Sequence, residues 1–300
     1  MPAGLSVVAA SPPPTASDLD ATCTRAAGVG ALDNVKSHGL VDLEFDRRDG
    51  ETYGARTYQA GCLRARQLGS DPSELVAVAI INTAGGLTGG DSLNQKVAWR
   101  PGARATITTP SAEKIYRSAK GWSRVAVRLS VGRDCLAEWL PQETIVFDGA
   151  KLDRSMEIHL AEGATFVACE AVVFGRLARN ERLRSGGYFD QLKVFRNGRL
   201  LLFDRTGVEG DLGAWLDRAS TARGCRCSAM LLLAGPGVER VVPQIRQCLA
   251  EATELGGISL VRGIAHARIL ASDDLGLRTL VAKVLGIARQ GRSLPRSWSC

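Results

Sequence analysis

Carboxylates stand in this chain where acid–base chemistry could be done. Glu143 and Asp148 flank a short apolar run, Asp91 closes a glycine-rich stretch, and Glu170 interrupts a run of Val, Ala and Cys. Two carboxyls held within several Å of each other can act as general acid and general base, which would make the chain a hydrolase on a β-helical frame. Glu143 with Asp148, and Asp91 with Glu170, are the candidate pairs. Seven Phe, five Trp and four Tyr in 300 residues offer little aromatic surface for stacking a sugar, which counts against a glycosidase.

Residues 80–91, Ile-Ile-Asn-Thr-Ala-Gly-Gly-Leu-Thr-Gly-Gly-Asp, are the next candidate. Gly85, Gly86, Gly89 and Gly90 cost conformational entropy unless the backbone needs φ > 0 or passes close to another surface. Glycine-rich turns after strands can aim N–H groups at phosphate, but the P-loop lysine is missing, since Asp91 and Ser92 follow the second Gly pair. The dinucleotide fingerprint fails as well, because Leu87 and Thr88 stand where its second glycine would be. The simplest expectation is a tight bend between strands, capped by the Asp91 side chain.

A net charge of +7 and a basic set running from Arg176 through Arg184 to Arg199 point to an acidic partner. No nucleic-acid motif accompanies them, so a solvated face or an acidic protein is preferred over nucleic acid. Residues 109–118, Thr-Pro-Ser-Ala-Glu-Lys-Ile-Tyr-Arg-Ser, read as a solvated loop or a short helical turn. The alternative is a contact surface carried by Glu113, Lys114, Tyr116 and Arg117, since Tyr and Arg are enriched among binding hot spots. Eight scattered cysteines without a Cys-x-x-Cys pair, and only three histidines, fit neither a structural zinc site nor a disulfide framework. A reducing cytoplasm is the expected compartment. Residues 1–10 contain no Lys or Arg and fail as a secretory signal. No apolar run approaches the ~18 residues of a membrane span.

The elements that would position these residues are mostly strands. Residues 1–33 include Pro12-Pro13-Pro14 and lack a period, so they are expected to form a mobile tail before a single domain over 34–300. The unbroken apolar run 75–81 predicts a strand buried on both faces. Alternation marks strands at 40–45, 124–131 and 156–160, with His159 on a polar face. Further strands are expected at 96–99, 104–109, 136–140, 144–147, 165–174, 228–233 and 267–271, and 59–67 as an edge strand. Asn197-Gly198 between β-rich flanks predicts a hairpin. The period then changes: Val238, Val242, Ile245, Leu249, Ala252 and Leu255 share one helical face. Asp273 or Asp274 caps a second helix with Leu277, Leu280, Val281, Val284, Leu285 and Ala288 as its stripe, ending at Gly291.

Four ordered stretches carry a family resemblance. Residues 82–91, residues 108–118 and residues 138–149 (Glu-Trp-Leu-Pro-Gln-Glu-Thr-Ile-Val-Phe-Asp-Gly) resemble the UreD, or UreH, family of urease accessory proteins. Residues 174–181, Phe-Gly-Arg-Leu-Ala-Arg-Asn-Glu, resemble that family's Phe-Gly-Arg-x-Ala-x-Gly-Glu segment, with Asn180 in place of the usual Gly. Asn tolerates the left-handed region better than most residues. Where the family often has a Trp-bearing strand, this chain has Leu192-Lys193-Val194-Phe195.

The resemblance implies a mainly β protein, a β-helix-like stack of strands carrying two C-terminal helices. It implies a non-catalytic role as a scaffold that binds apo-urease, UreF and the nickel-binding GTPase UreG, so that nickel reaches the urease active site. The contact motifs would then be Thr83, the glycines 85, 86, 89 and 90, Asp91, Glu113, Lys114, Tyr116, Arg117 and Arg176. No tightly bound cofactor is expected. Asp91, Glu143, Asp148 and Glu170 would line a transient path for nickel, weak because oxygen suits that ion less well than imidazole.

Overall fold

The computed structural model describes residues 36–68 and 75–298. The expected tail over 1–33 lies outside the described residues. The chain opens with β1 (His38–Arg48) and β2 (Glu51–Gly61), a hairpin over Asp49 and Gly50, followed by β3 (Leu63–Gln67) and β4 (Val76–Asn82). Next come β5 (Ser92–Trp99), β6 (Arg104–Thr108), β7 (Glu113–Ile115), β8 (Ser123–Val131), β9 (Leu136–Leu140), β10 (Thr144–Val146), β11 (Lys151–Leu160) and β12 (Thr165–Phe174). The hairpin of β13 (Gly187–Arg196) and β14 (Arg199–Glu209) precedes the short α1 (Leu212–Asp217). The remainder is β15 (Cys227–Ala234), α2 (Val238–Ala250), β16 (Leu255–Val261), β17 (Ile264–Ala271) and α3 (Asp274–Ala288).

Two sheets result. One has the order β14-β13-β11-β8-β5-β1-β2, the other β16-β17-β15-β12-β9-β6-β4-β3, with β10 and β7 branching from β12. Strands β5, β8, β11 and β13 are parallel neighbours in the first sheet, and β4, β6, β9 and β12 in the second. Each coil of the chain therefore lays one strand on each sheet, a β-solenoid-like stack of the kind the family resemblance implies. The corners stack too: Gly102 N donates to Arg133 O and Gly132 N to Trp99 O, both at 2.8 Å.

The interior between the sheets is apolar, with Phe45, Trp99, Leu129 and Ile158 facing Ile107, Trp139 and Phe166. Strand β12 explains why its sequence reads as an unbroken apolar run. Phe166, Ala168, Val172 and Phe174 face the other sheet, while Val167, Cys169, Ala171 and Val173 face a second core under α2 and α3. Asp273 caps α3 by accepting from Gly276 N at 2.7 Å, and the Asn197-Gly198 turn places both residues at positive φ (50° and 75°), as the hairpin signal predicts. Among the described residues no helix is long and apolar enough to cross a membrane.

Three local expectations are corrected. Residues 113–115 are a strand, not a loop or helical turn, because β7 pairs in parallel with β10. Leu255 is not on the helix: α2 stops at Ala250, and Leu255 opens β16 opposite Leu270, ahead of Gly256 and Gly257. Residues 59–67 are two strands rather than one. The chain breaks at Gly61, φ 62°, where a Cβ would lie 1.7 Å from His38 O, and both pieces are edge strands as expected, β2 of the first sheet and β3 of the second.

Candidate functional site

The glycine loop joins β4 to β5, and its polar groups are spent on holding a shape. Asp91, 4% exposed, accepts from Thr88 N at 2.7 Å through Oδ2 and from Ser37 N at 2.8 Å through Oδ1, the side-chain cap expected of it. Thr83 is fixed by N–H and hydroxyl bonds to Cys62 O, each 2.9 Å. Gly85, Gly86 and Gly90 take positive φ (75°, 144° and 94°). Gly89 does not; its requirement is close approach, since a Cβ there would meet Ser118 Oγ at 1.9 Å and Lys120 O at 2.3 Å.

That packing brings the second motif onto the first. Leu87 N donates to Lys114 O and Tyr116 N to Leu87 O, both 2.7 Å, so the loop extends the β7 ladder. Tyr116 OH reaches Gly85 O at 3.1 Å, and Thr88 Oγ1 donates to Arg117 O at 2.9 Å. Glu113 accepts from Asn82 Nδ2 at 3.1 Å; burial pushes its carboxyl up, with the Asn82 bond acting against the shift.

The third and fourth motifs complete the surface. Arg117 Nη2 lies 2.6 Å from Asp148 Oδ2, and Asp148 Oδ1 accepts from Arg184 N and Ser185 N at 2.7 and 3.1 Å. Phe147 stands edge-on to Tyr116 with ring centroids 5.2 Å apart, and Arg176 lies over the Phe147 ring at 4.9 Å. Arg176 is held by Glu181 at 2.7 Å. Burial would raise the Glu181 carboxyl, but the Arg176 side chain and backbone N–H outweigh it and hold it below the usual range. Asn180 takes φ 50°, ψ 36°, so the turn keeps a left-handed residue where the family's Gly stands. A shallow groove of about 460 Å³ runs between these motifs, lined among others by Lys114, Tyr116, Glu143, Phe147 and Arg176.

The four candidate carboxylates have separate places in this frame. Glu143 opens onto the groove, with Arg278 Nη1 3.9 Å away. Asp148 and Asp91 hold turns, as described. Glu170 is buried, accepting from Trp139 Nε1 at 2.6 Å and Arg154 Nη1 at 2.5 Å; burial raises its carboxyl against the pull of Arg154. Among the described residues no three His, Cys, Asp or Glu side chains are grouped to hold a metal ion.

Two buried ion networks escaped the sequence reading. Arg154 also grips Asp190, at 3.0 Å from Nε and 2.6 Å from Nη2; burial would raise that carboxyl, and Arg154 brings it below the usual range. Glu138, fully buried, receives Arg289 Nε and Nη2 at 2.9 and 3.0 Å and Thr106 Oγ1 at 2.6 Å, tying the end of α3 to β6 and β9. A signal for the first was present. Arg154 falls on the apolar face of β11, in step with Leu152, Met156, Ile158 and Leu160, where an arginine needs a buried carboxylate.

The fold and site define a class: a two-sheet β-solenoid with helices on one face, whose four sequence motifs meet on one surface. A family profile described as UreD urease accessory protein matches residues 37–299. Proteins named urease accessory protein UreD are similar over most of their length. That of Rhodopseudomonas palustris strain BisB18 is 39% identical over 275 residues, covering 92% of this chain and 98% of its own. That of Bradyrhizobium diazoefficiens is 37% identical over 263 residues, 88% and 94% of the two chains, and that of Rhizobium rhizogenes 36% over 264 residues, 88% and 96%. The chain belongs to the UreD family of urease accessory proteins.

Proposed function

We propose that this chain is a non-catalytic cytoplasmic scaffold for urease maturation. It holds apo-urease together with UreF and UreG, and GTP hydrolysis on UreG drives nickel insertion into the urease active site. The observation that carries this reading is that three family motifs line one groove, with the glycine loop packed against Lys114 and Tyr116 beside it, and that the Lys114, Tyr116, Arg117 and Arg176 side chains are exposed. Such a surface offers hot-spot residue types on a rigid base. A hydrolase on a β-helical frame is less well supported, because Asp91, Asp148 and Glu170 are each committed to hydrogen bonds or ion pairs that hold the fold.

Nickel is the cargo. Its transient path would start from Glu143, the candidate carboxylate that lines the groove, with Asp91, Asp148 and Glu170 acting behind it. No cofactor is held tightly. The test is co-expression with tagged UreF and UreG from the same source. A complex eluting as one species supports the scaffold, and separate elution contradicts it.

A further inference from the structure

The two sheets end unevenly at one side. The first ends at β14, and the second continues through β17 to β16. Strand β14 lies over β17, because Arg268 is ion-paired to Asp204 and bonds Thr206 Oγ1, while His266 lies 3.5 Å from Asp204. The next position along the first sheet is therefore above β16, and no strand occupies it among the described residues. Ile258 faces α2 and its core, whereas Leu255, Gly257, Ser259 and Val261 face the other way and are exposed, Leu255 at 40% and Val261 at 50%. They form an uncovered ledge beside a free strand edge.

Three further observations describe the missing occupant. The outer edge of β14 makes no backbone hydrogen bond among the described residues, so its N–H and C=O groups are available along an 11-residue strand. Exposed apolar side chains stand on both sides of this edge: Leu255 and Val261 on the ledge, and Leu200 and Phe203, 44% and 52% exposed, on the outer face of β14 opposite Phe195 and Lys193. The unpaired charges there are of one sign, since Asp204 and Glu209 of β14 are taken up by Arg268 and Lys151. Arg199 and Arg205 on β14, Arg262 in the β16–β17 turn and Arg223 at the end of the cleft have no ion-pair partner among the described residues. Where β14 and β16 approach each other, the cleft widens to a cavity of about 650 Å³ lined by Arg205, Gly207, Trp215, Arg223, Leu255 and Arg268, with no carboxylate in its wall.

We propose that the free edge of β14 accepts an extended segment of a protein partner, alternating apolar and acidic residues, which adds a strand to the first sheet above β16. Main-chain bonds to β14 supply the register. Apolar side chains of the segment cover the Leu255 and Val261 ledge, acidic side chains on the opposite face meet Arg205, and an acidic residue at the segment's end meets Arg199 and Arg262 beside the β16–β17 turn. An edge this long and apolar otherwise invites unwanted pairing, which proteins ordinarily blunt with Pro, a bulge or a covering element. This site lies on elements distinct from the motif groove.

The probe is a fluorescent peptide of about eight residues alternating Val and Glu, titrated onto the full chain and followed by anisotropy. Two controls replace Glu by Lys, or place Pro at its centre to block strand pairing. The expected result is saturable binding of the Val/Glu peptide, weakened about tenfold or more by either control change. Leu255→Glu with Val261→Glu, both exposed, should weaken it as much without moving the melting temperature. Absence of saturable binding, equal binding of the Pro peptide, or unchanged affinity in the folded double variant would each overturn the proposal. So would a concentration-dependent dimer of the chain that the peptide fails to dissociate, since the edge would then belong to a second copy.

Discussion

Arg154 on β11 and Glu170 on β12 meet across the interior between the two sheets, Nη1 to Oε2 at 2.5 Å, with side chains only 5% and 9% exposed. Removing Glu170 leaves the buried Arg154 with Asp190 alone as its countercharge and an unfilled place beside Trp139 Nε1. Glu170→Leu is expected to destabilise the chain by ~3–5 kcal/mol, read from the urea midpoint at constant slope. A loss under ~1 kcal/mol would mean that Asp190 alone satisfies Arg154.

The Glu138–Arg289 pair gives a second stability test, with a cycle built in. Arg289→Met should cost ~3 kcal/mol, because the fully buried Glu138 would lose its two-pronged partner and keep only Arg292, 3.1 Å from Oε1. Adding Glu138→Leu should recover part of that loss. Additive losses in the double variant would show that the two residues are not coupled.

Gly89 and Gly85 separate two reasons for glycine. Gly89→Ala would press a Cβ into Ser118 Oγ and two backbone oxygens, and should cost ~1–3 kcal/mol as overpacking. At Gly85 the space is open and φ is 75°, so alanine there should cost only left-handed strain, ~1 kcal/mol. Equal losses from the two substitutions would contradict this division.

Much of the fold was legible because the relevant signals are local. Alternation over β8 and β11, the Asn197-Gly198 turn and the Asp273 cap each reside in a few adjacent residues. β7 was missed because three residues carry no period, and its strand state comes from β10 and Leu87, both distant in sequence. β16 was missed because Gly256 and Gly257 look like loop, and Leu255 happens to continue the helical stripe of α2. The groove motifs could be found by resemblance, but the partner of each side chain could not. Arg117 meets Asp148, and Arg176 meets Phe147, across separations that no spacing rule encodes.

Glu113 predicts a pH dependence. Its folded carboxyl is raised by burial, so its stabilising contribution is full below the unfolded value of ~4.3 and is lost as pH rises through the raised folded value. Glu113→Gln removes that titration. Melting temperatures of the two proteins should therefore diverge in favour of the variant as pH rises from below ~4 toward neutrality. A constant difference across that range would show that Glu113 titrates alike in both states.

The proposed nickel path is tested at Glu143, whose half-buried side chain makes, among the described residues, only a long contact with Arg278, so its loss should not unfold the chain. Glu143→Gln should assemble with the partners yet yield urease carrying less nickel per active site by metal analysis. Full loading would remove Glu143 from the path while leaving the scaffold intact.

The most direct test of the central claim, that the motif surface is where partners dock, is co-elution of the chain with UreF, UreG and apo-urease in a triple variant. Arg117→Ala trims a side chain 70% exposed, Tyr116→Ala and Arg176→Ala trim ones 38% and 43% exposed, and the Arg117–Asp148 and Arg176–Glu181 pairs lie at the surface, where ion pairs contribute little to stability. The variant should therefore remain folded, with a melting temperature near that of the wild type, yet fail to co-elute with at least one partner. Arg128→Ala, on the outer face of the first sheet, should behave as wild type. Undiminished co-elution of the folded triple variant with all three partners would contradict the account.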